Sequence, residues 1–216
     1  MPRDSAATRT KIIDAAYTLF YREGFTRIGV DEIAAEAGVT KRTLYYHFDS
    51  KDTLLAAVME AQNALALARI RQIMEGGGRD ARAMVRSLFI ELAKWAATPR
   101  WHGSGFTRVA MDLAGQPGHP ARRIARRHKA AVETLLADRL DACGVADARG
   151  SARQIMLLTE GCLSLILIHD DTSYARAALD VALLLVTSRS TSAARSRGLE
   201  RKTPARAPGS ACPRTG

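Results

Sequence analysis

Apolar residues recur at helical spacing along most of this chain. Ile12, Ala16 and Leu19 form an i, i+4, i+7 stripe, widened by Ile13 and Phe20, which predicts a helix over 5–22. Gly24 stands where a helix-ending glycine is expected. Two short segments follow. In 30–37, Ile33, Ala34 and Ala37 make an inner face, Asp31 and Glu32 suit the positive helix start, and Gly38 stops the helix. In 41–47, Thr40 is a natural N-cap, and Leu44 and Phe48, four apart, point inward. After a cap at Asp49 or Ser50, the apolar positions Leu54, Leu55, Val58, Met59, Leu65, Leu67 and Ile70 predict a long helix to about residue 74. Gly76-Gly77-Gly78 breaks it.

A helix over 81–97 follows, carrying Met84, Val85, Leu88, Phe89, Leu92 and Trp95, closed by Thr98-Pro99. In 100–116, Phe106, Val109, Ala110 and Leu113 suggest a short helix. Beyond the break at 118–120, the pattern predicts a helix over 124–140, preceded by the basic residues Arg122 and Arg123 and continued by Arg126 and Arg127. That cluster, through Lys129, reads as a solvated face or as a counter-charge for an acidic partner segment. Two more helices cover 152–168 and 174–186. Residues 163–168 are apolar almost all round, and Ala177, Ala178, Val181, Leu184 and Leu185 crowd the last helix. Helices apolar on more than one face need burial on more than one side, and a second copy of the chain is a ready source of that cover.

Composition agrees with an all-α fold: 47% of residues are hydrophobic but only 6% aromatic, and strand-favouring residues are outweighed by Ala, Leu and Arg. No run of 18 uncharged apolar residues occurs, and MPRDSAATRTK has no apolar core of a secretory signal, so a cytoplasmic protein without a membrane partner is expected. Cys143, Cys162 and Cys212 are odd in number and lack CxxC spacing, which speaks against a disulfide framework or a zinc site. The net charge of +10 invites a nucleic-acid reading, but its location weakens that argument. Residues 1–51 hold eight Lys/Arg against seven Asp/Glu, 52–188 hold seventeen against fourteen, and 189–216 hold seven against one. Most of the excess sits in 189–216, of which 191–216 is a Ser/Thr/Arg/Pro/Ala-rich stretch expected to be a disordered tail adding nonspecific phosphate attraction.

Residue spacing points to DNA more strongly than charge does. Two short helices joined by Gly38-Val39-Thr40 fit a helix-turn-helix, in which the second helix enters the major groove. Lys41 and Arg42, following Thr40, can donate to guanine O6 and N7, and Thr43 can meet a thymine methyl or a phosphate. Tyr45, Tyr46, His47 and Lys51 suit phosphate contacts that fix register. The segment 9–55 resembles the DNA-binding domain of the TetR/AcrR family. The residues that carry the resemblance are Ile12, Ala15-Ala16, Leu19-Phe20, Gly24-Phe25, Val30, Ile33-Ala34, Ala37-Gly38-Val39, Thr43 through Phe48, Lys51 and Leu54-Leu55. A looser resemblance covers 56–190, through 103–106 and His119-Pro120 before a basic helix. The resemblance implies a three-helix DNA-binding domain (5–52), a helical ligand-binding and dimerisation domain (53–190), and a homodimeric repressor released from a double-stranded operator by a small-molecule effector. Two positions depart from the family pattern. Gly29 replaces the usual Thr or Ser cap, which costs only a few tenths of a kcal/mol. Arg42 stands where many members have Gly, so it is a candidate base-reading residue particular to this chain.

Candidate cavity residues in the body are Trp95, Trp101, His102, Phe106, Met111, Met156, Glu160 and Cys162. Glu160 is the most informative, because a carboxylate in an apolar helix needs a partner. A ligand, His102, or an Arg across a dimer interface would each serve. His102-Gly103-Ser104-Gly105 does not satisfy G-x-S-x-G and no strand precedes it, so no catalytic residue, metal ligand or cofactor is assigned.

Overall fold

A computed structural model describes the backbone of residues 2–99 and 101–199, with side chains for 5–99 and 101–186. The described residues form nine helices: α1 (Pro2–Glu23), α2 (Val30–Glu36), α3 (Lys41–His47), α4 (Lys51–Glu75), α5 (Ala81–Ala96), α6 (Gly105–Asp112), α7 (Pro120–Ala142), α8 (Ala148–His169) and α9 (Ser173–Leu199). No strand occurs among them. The short α6 is the helix suggested within 100–116. α7 begins at Pro120, four residues earlier than the apolar pattern indicates, because proline at a first helical position costs no hydrogen bond. The His119 ring caps it, with Nδ1 accepting from the Ala121 amide at 3.1 Å. The α9 backbone continues to Leu199, so 191–199, expected to be disordered, extends a helix; Ala193, Ala194 and two arginines there are good helix formers. The rest of the expected tail, 200–216, lies outside the described residues.

Two apolar clusters hold the molecule together. One joins Ile12, Ala16 and Phe20 of α1, Ile33 of α2, Leu44 of α3 and Leu54, Leu55 and Val58 of α4. It does not close on the first four helices: Val109 and Leu113 from the α6 region and Ala121, Ile124 and Ala125 of α7 belong to it. The second cluster joins α5, α7, α8 and α9 around Phe89, Leu136, Leu140, Ile155 and Leu179. α4 serves both, with Leu54 to Met59 in the first and Met74 in the second. The α4–α5 turn is tight enough to demand glycine. A Cβ on Gly77 would lie 2.6 Å from the Met84 backbone.

By length and composition alone α8 is apolar enough to cross a membrane. In the fold one side of it, Ala152, Ile155, Cys162, Leu163 and Ile166, is buried in the second cluster. Its opposite side exposes Leu157, Leu165 and Ile168, and α9 exposes Val181 and Leu184 beside it.

Candidate DNA-binding helix and internal cavity

α2 and α3 meet through a turn in which Gly38 has φ +64, a left-handed conformation that side chains disfavour. Leu44 is fully buried and Phe48 nearly so, which anchors α3 and turns its other face outward. The start of α3 is held by two local bonds. The Thr40 hydroxyl accepts from the Thr43 amide at 3.1 Å, and the two threonine hydroxyls lie 2.8 Å apart. Gly29 caps α2 without a side chain. Its amide is still satisfied, donating to the Glu32 carboxylate at 2.7 Å, so half of a capping box survives the departure from Thr or Ser.

The outward face of α3 consists of Lys41, Arg42, Tyr45 and Tyr46, with Tyr46 81% exposed. Thr43 and His47 are half-buried at its edges. Lys41 is not idle: its ammonium pairs with Asp31 of α2 at 3.0 Å, which raises its pKa through the hydrogen bond and charge. Lys51, at the start of α4, lies 4.3 Å over the Phe25 ring, and partial burial lowers its pKa. The predicted DNA residues therefore stand on one surface, apart from Lys51, which is drawn toward the aromatic core beneath it.

A cavity of about 380 Å³ lies between the two clusters and is walled by both. Tyr17, Phe20 and Tyr21 of α1 reach it from one side; Trp95, Phe106, Val132, Met156 and Leu163 line the other. Of the sequence candidates, Trp95, Phe106, Met156 and Glu160 line this space. Trp101, His102, Met111 and Cys162 are not part of the lining. Trp101 stands edge-on to Trp95 at 5.6 Å. Met111 is 70% exposed. The Cys162 thiol is buried in the body core, which pushes its pKa up to about 11 and keeps it protonated.

Glu160 has partners other than the three anticipated. Lys129 Nζ pairs with its Oε1 at 2.5 Å, and the Thr107 hydroxyl donates to Oε2 at 2.7 Å. Lys129 also donates to the Ser104 hydroxyl at 3.2 Å. This corrects the reading of 122–129 as a uniform solvated face. Arg123, Arg126 and Arg127 are exposed, but His128 and Lys129 turn inward. His128 stacks flat on Phe106 at 3.7 Å, and its Nδ1 lies 2.9 Å from Asn63 Oδ1 of α4. The inner stripe Ile124, Ala125, His128, Val132 has helical spacing and is the signal that points to this inward turn.

Burial, helped by the adjacent Lys129, depresses the His128 pKa from 6.5 to about 4. The unfolded chain therefore takes up this proton first. The stability owed to a neutral His128 is complete above about pH 6.5 and is lost as pH falls toward 4, on the order of 2–3 kcal/mol. Urea unfolding at a series of pH values should show a stability gap between wild type and His128→Gln that narrows across this window. Parallel pH profiles would exclude a buried neutral imidazole.

Where the cavity meets α1, one side chain ties α6 to α1. Arg108 of α6 donates to the Tyr21 carbonyl at 2.7 Å and to the His102 carbonyl at 3.2 Å. The first of these lies in the last turn of α1, where carbonyls lack helical partners and a cation is favoured. The Tyr21 hydroxyl accepts from the His102 amide at 3.2 Å and donates to the Gly103 carbonyl at 3.3 Å. His102, expected in a cavity, instead contributes its backbone to this joint. Nearby, the ion pair of Arg127 with Glu60 fastens α7 to α4.

Residues 12–58 match the family model described as bacterial regulatory proteins, tetR family. The chain is 36% identical over 76 residues to the HTH-type transcriptional regulator UidR of Escherichia coli, and 34% identical over 80 residues to the HTH-type transcriptional repressor KstR2 of Rhodococcus jostii. These matches cover 35% and 37% of this chain and span 39% of the length of each relative. Similarity to solved structures extends further. A TetR-transcriptional regulator of Streptomyces avermitilis is 30% identical with a TM-score of 0.70, covering 81% of this chain and 97% of that one. A TetR-family regulator of Streptomyces coelicolor shares the fold at TM-score 0.77 and 24% identity, over 86% of this chain and 97% of that one.

Proposed function

Because this chain belongs to the TetR family of bacterial transcriptional regulators, we propose that it is a cytoplasmic repressor that binds a pseudo-palindromic operator as a homodimer and is released when a small molecule fills the cavity. In this reading residues 5–52 are the DNA-binding domain and 53–190 the effector and dimerisation domain. Arg42 and Lys41 read bases, with Lys41 exchanging Asp31 for DNA. Thr40, Thr43, Tyr45, Tyr46, His47 and Lys51 hold the phosphates.

The dimer is assembled through α8 and α9. Leu157, Gly161, Leu165 and Ile168 recur at three- or four-residue spacing on the exposed side of α8, and Ala177, Val181 and Leu184 do so on α9. Two such pairs make a four-helix interface, and its two-fold axis sets the spacing of the heads. Heads placed in successive major grooves must stand about 34–36 Å apart.

The observation that carries the release mechanism is the shared wall of the cavity. Tyr21 of α1 and Arg108 of α6 both line it and are bonded to each other there. A ligand that shifts α6 acts through Arg108 on the last turn of α1, and so on the angle of the head. Coupling of this kind is reciprocal and typically amounts to about 1–3 kcal/mol, or 5–150-fold. Operator affinity measured with and without a cavity ligand should differ by such a factor, and ligand affinity with and without operator by the same factor. Simultaneous binding with both affinities unchanged would refute the release mechanism while leaving DNA recognition intact.

A further inference from the structure

The cavity carries information about what it accepts. Its walls are largely apolar and aromatic, with Leu88, Trp95, Phe106 and Met156 among them, and one polar corner is formed by Ser104, Lys129, Thr159 and Glu160. In that corner the charges cancel. Lys129 and Glu160 are paired at 2.5 Å, and His128 beside them is neutral near pH 7. Arg108 keeps its charge: its Nη1 donates to two backbone carbonyls, while its Nη2 and the Asp112 carboxylate both border Gly24. At the cavity's edge, Glu91 pairs with Lys94 at 2.6 Å, and the remaining two charged lining groups, Arg69 and Asp112, are exposed and opposite in sign.

A ligand carboxylate could reach Lys129 only by standing beside Glu160, and a ligand ammonium could reach Glu160 only by standing beside Lys129. Like charges held close in a low-dielectric space repel strongly, and either ion would also lose its hydration. An uncharged oxygen meets neither obstacle. An ammonium has three donors, and among the described residues Lys129 uses two, to Ser104 and Glu160. The third can serve a ligand carbonyl or hydroxyl oxygen. Each Glu160 oxygen accepts one described bond and has a further lone pair to receive a ligand O–H.

Resting on the reading of this cavity as the effector site, we propose that the effector is an uncharged molecule with an apolar ring body and a hydroxyl or carbonyl head group, held by the Lys129–Glu160 pair. The test uses one ring with three heads: 2-naphthol, 2-naphthoate and 2-naphthylmethylammonium, titrated calorimetrically near pH 7 into the full chain. Occupancy of the cavity itself is read from the indole N–H resonance of Trp95. The neutral naphthol should bind at least about tenfold tighter than either ion. In Glu160→Gln, Lys129 loses its counter-charge and the carboxylate should become the preferred ligand. In Lys129→Met the ammonium should take that place. Thermal melts of both variants establish that they fold, and Thr107→Val, which removes the hydroxyl contacts to Glu160 and Ser104 but no charge, should keep the wild-type ranking. Tighter binding of either ion to the wild type, or one ranking shared by wild type and both charge variants, would overturn the head-group assignment but leave the effector cavity standing. Failure of all three compounds to perturb Trp95 in any variant would overturn both.

Discussion

Replacing Leu184 by Glu is expected to convert the protein to a monomer and to lower operator affinity by about 10²–10⁴-fold. Leu184 is 70% exposed on the single chain, so the substitution removes little from the core of one subunit. A surface change of this kind ordinarily moves stability by no more than about 0.5 kcal/mol. Its effect falls on association. In the proposed interface a carboxylate would be desolvated among Leu157, Leu165 and Val181 and their symmetry mates, with its own counterpart close across the two-fold axis. Losing the dimer removes the effective concentration with which the second head meets the second half-site. Light scattering should report the halved mass, circular dichroism an unchanged helix content, and gel-shift titration the lost affinity. A Leu184→Glu protein that stays dimeric and binds operator normally would move the interface away from α8 and α9.

The second large effect is expected at Arg42. Arg42→Ala should cost about 1–3 kcal/mol of operator binding and relax discrimination at one position of each half-site. Lys41 next to it is already tied to Asp31, and Thr43 to Thr40, whereas Arg42 is exposed on the outer face of α3 with no cap or brace to maintain. A phosphate contact would give a different pattern: uniform weakening across half-site variants and a salt slope reduced by about one. Binding to a panel of single-base variants at two salt concentrations separates these roles. Unchanged affinity for every variant would remove Arg42 from the interface altogether.

The helices that present α3 were legible because their punctuation is local. Gly38, Thr40 and the Leu44–Phe48 pair define where α3 begins and which side faces in, and the observed span Lys41–His47 matches that pattern. The cavity was less legible because its walls are assembled from six helices distant in the chain. Glu160 could be singled out from its apolar helix, but its partner Lys129 sits in an arginine-rich run whose charge conceals the inward stripe through Ile124, His128 and Val132. His102 and Met111 failed as cavity residues for a related reason. Residue type suggested a ligand contact, whereas chain geometry spends His102 on the α1 joint and leaves Met111 outside. The Arg108 link to the Tyr21 carbonyl involves a backbone acceptor, so no residue type in the sequence advertises it.

In the proposed mechanism α3 is the element that reads sequence, with two copies related by a two-fold axis. Selection of binding sites from random double-stranded DNA by the full chain tests this most directly. The predicted result is an inverted repeat with half-site centres about 10 base pairs, or a multiple of one helical turn, apart, and a changed preference at one position of each half when Arg42→Ala is selected in parallel. Enrichment of no symmetric sequence, or enrichment that disappears when residues 200–216, beyond the end of α9, are removed, would contradict it.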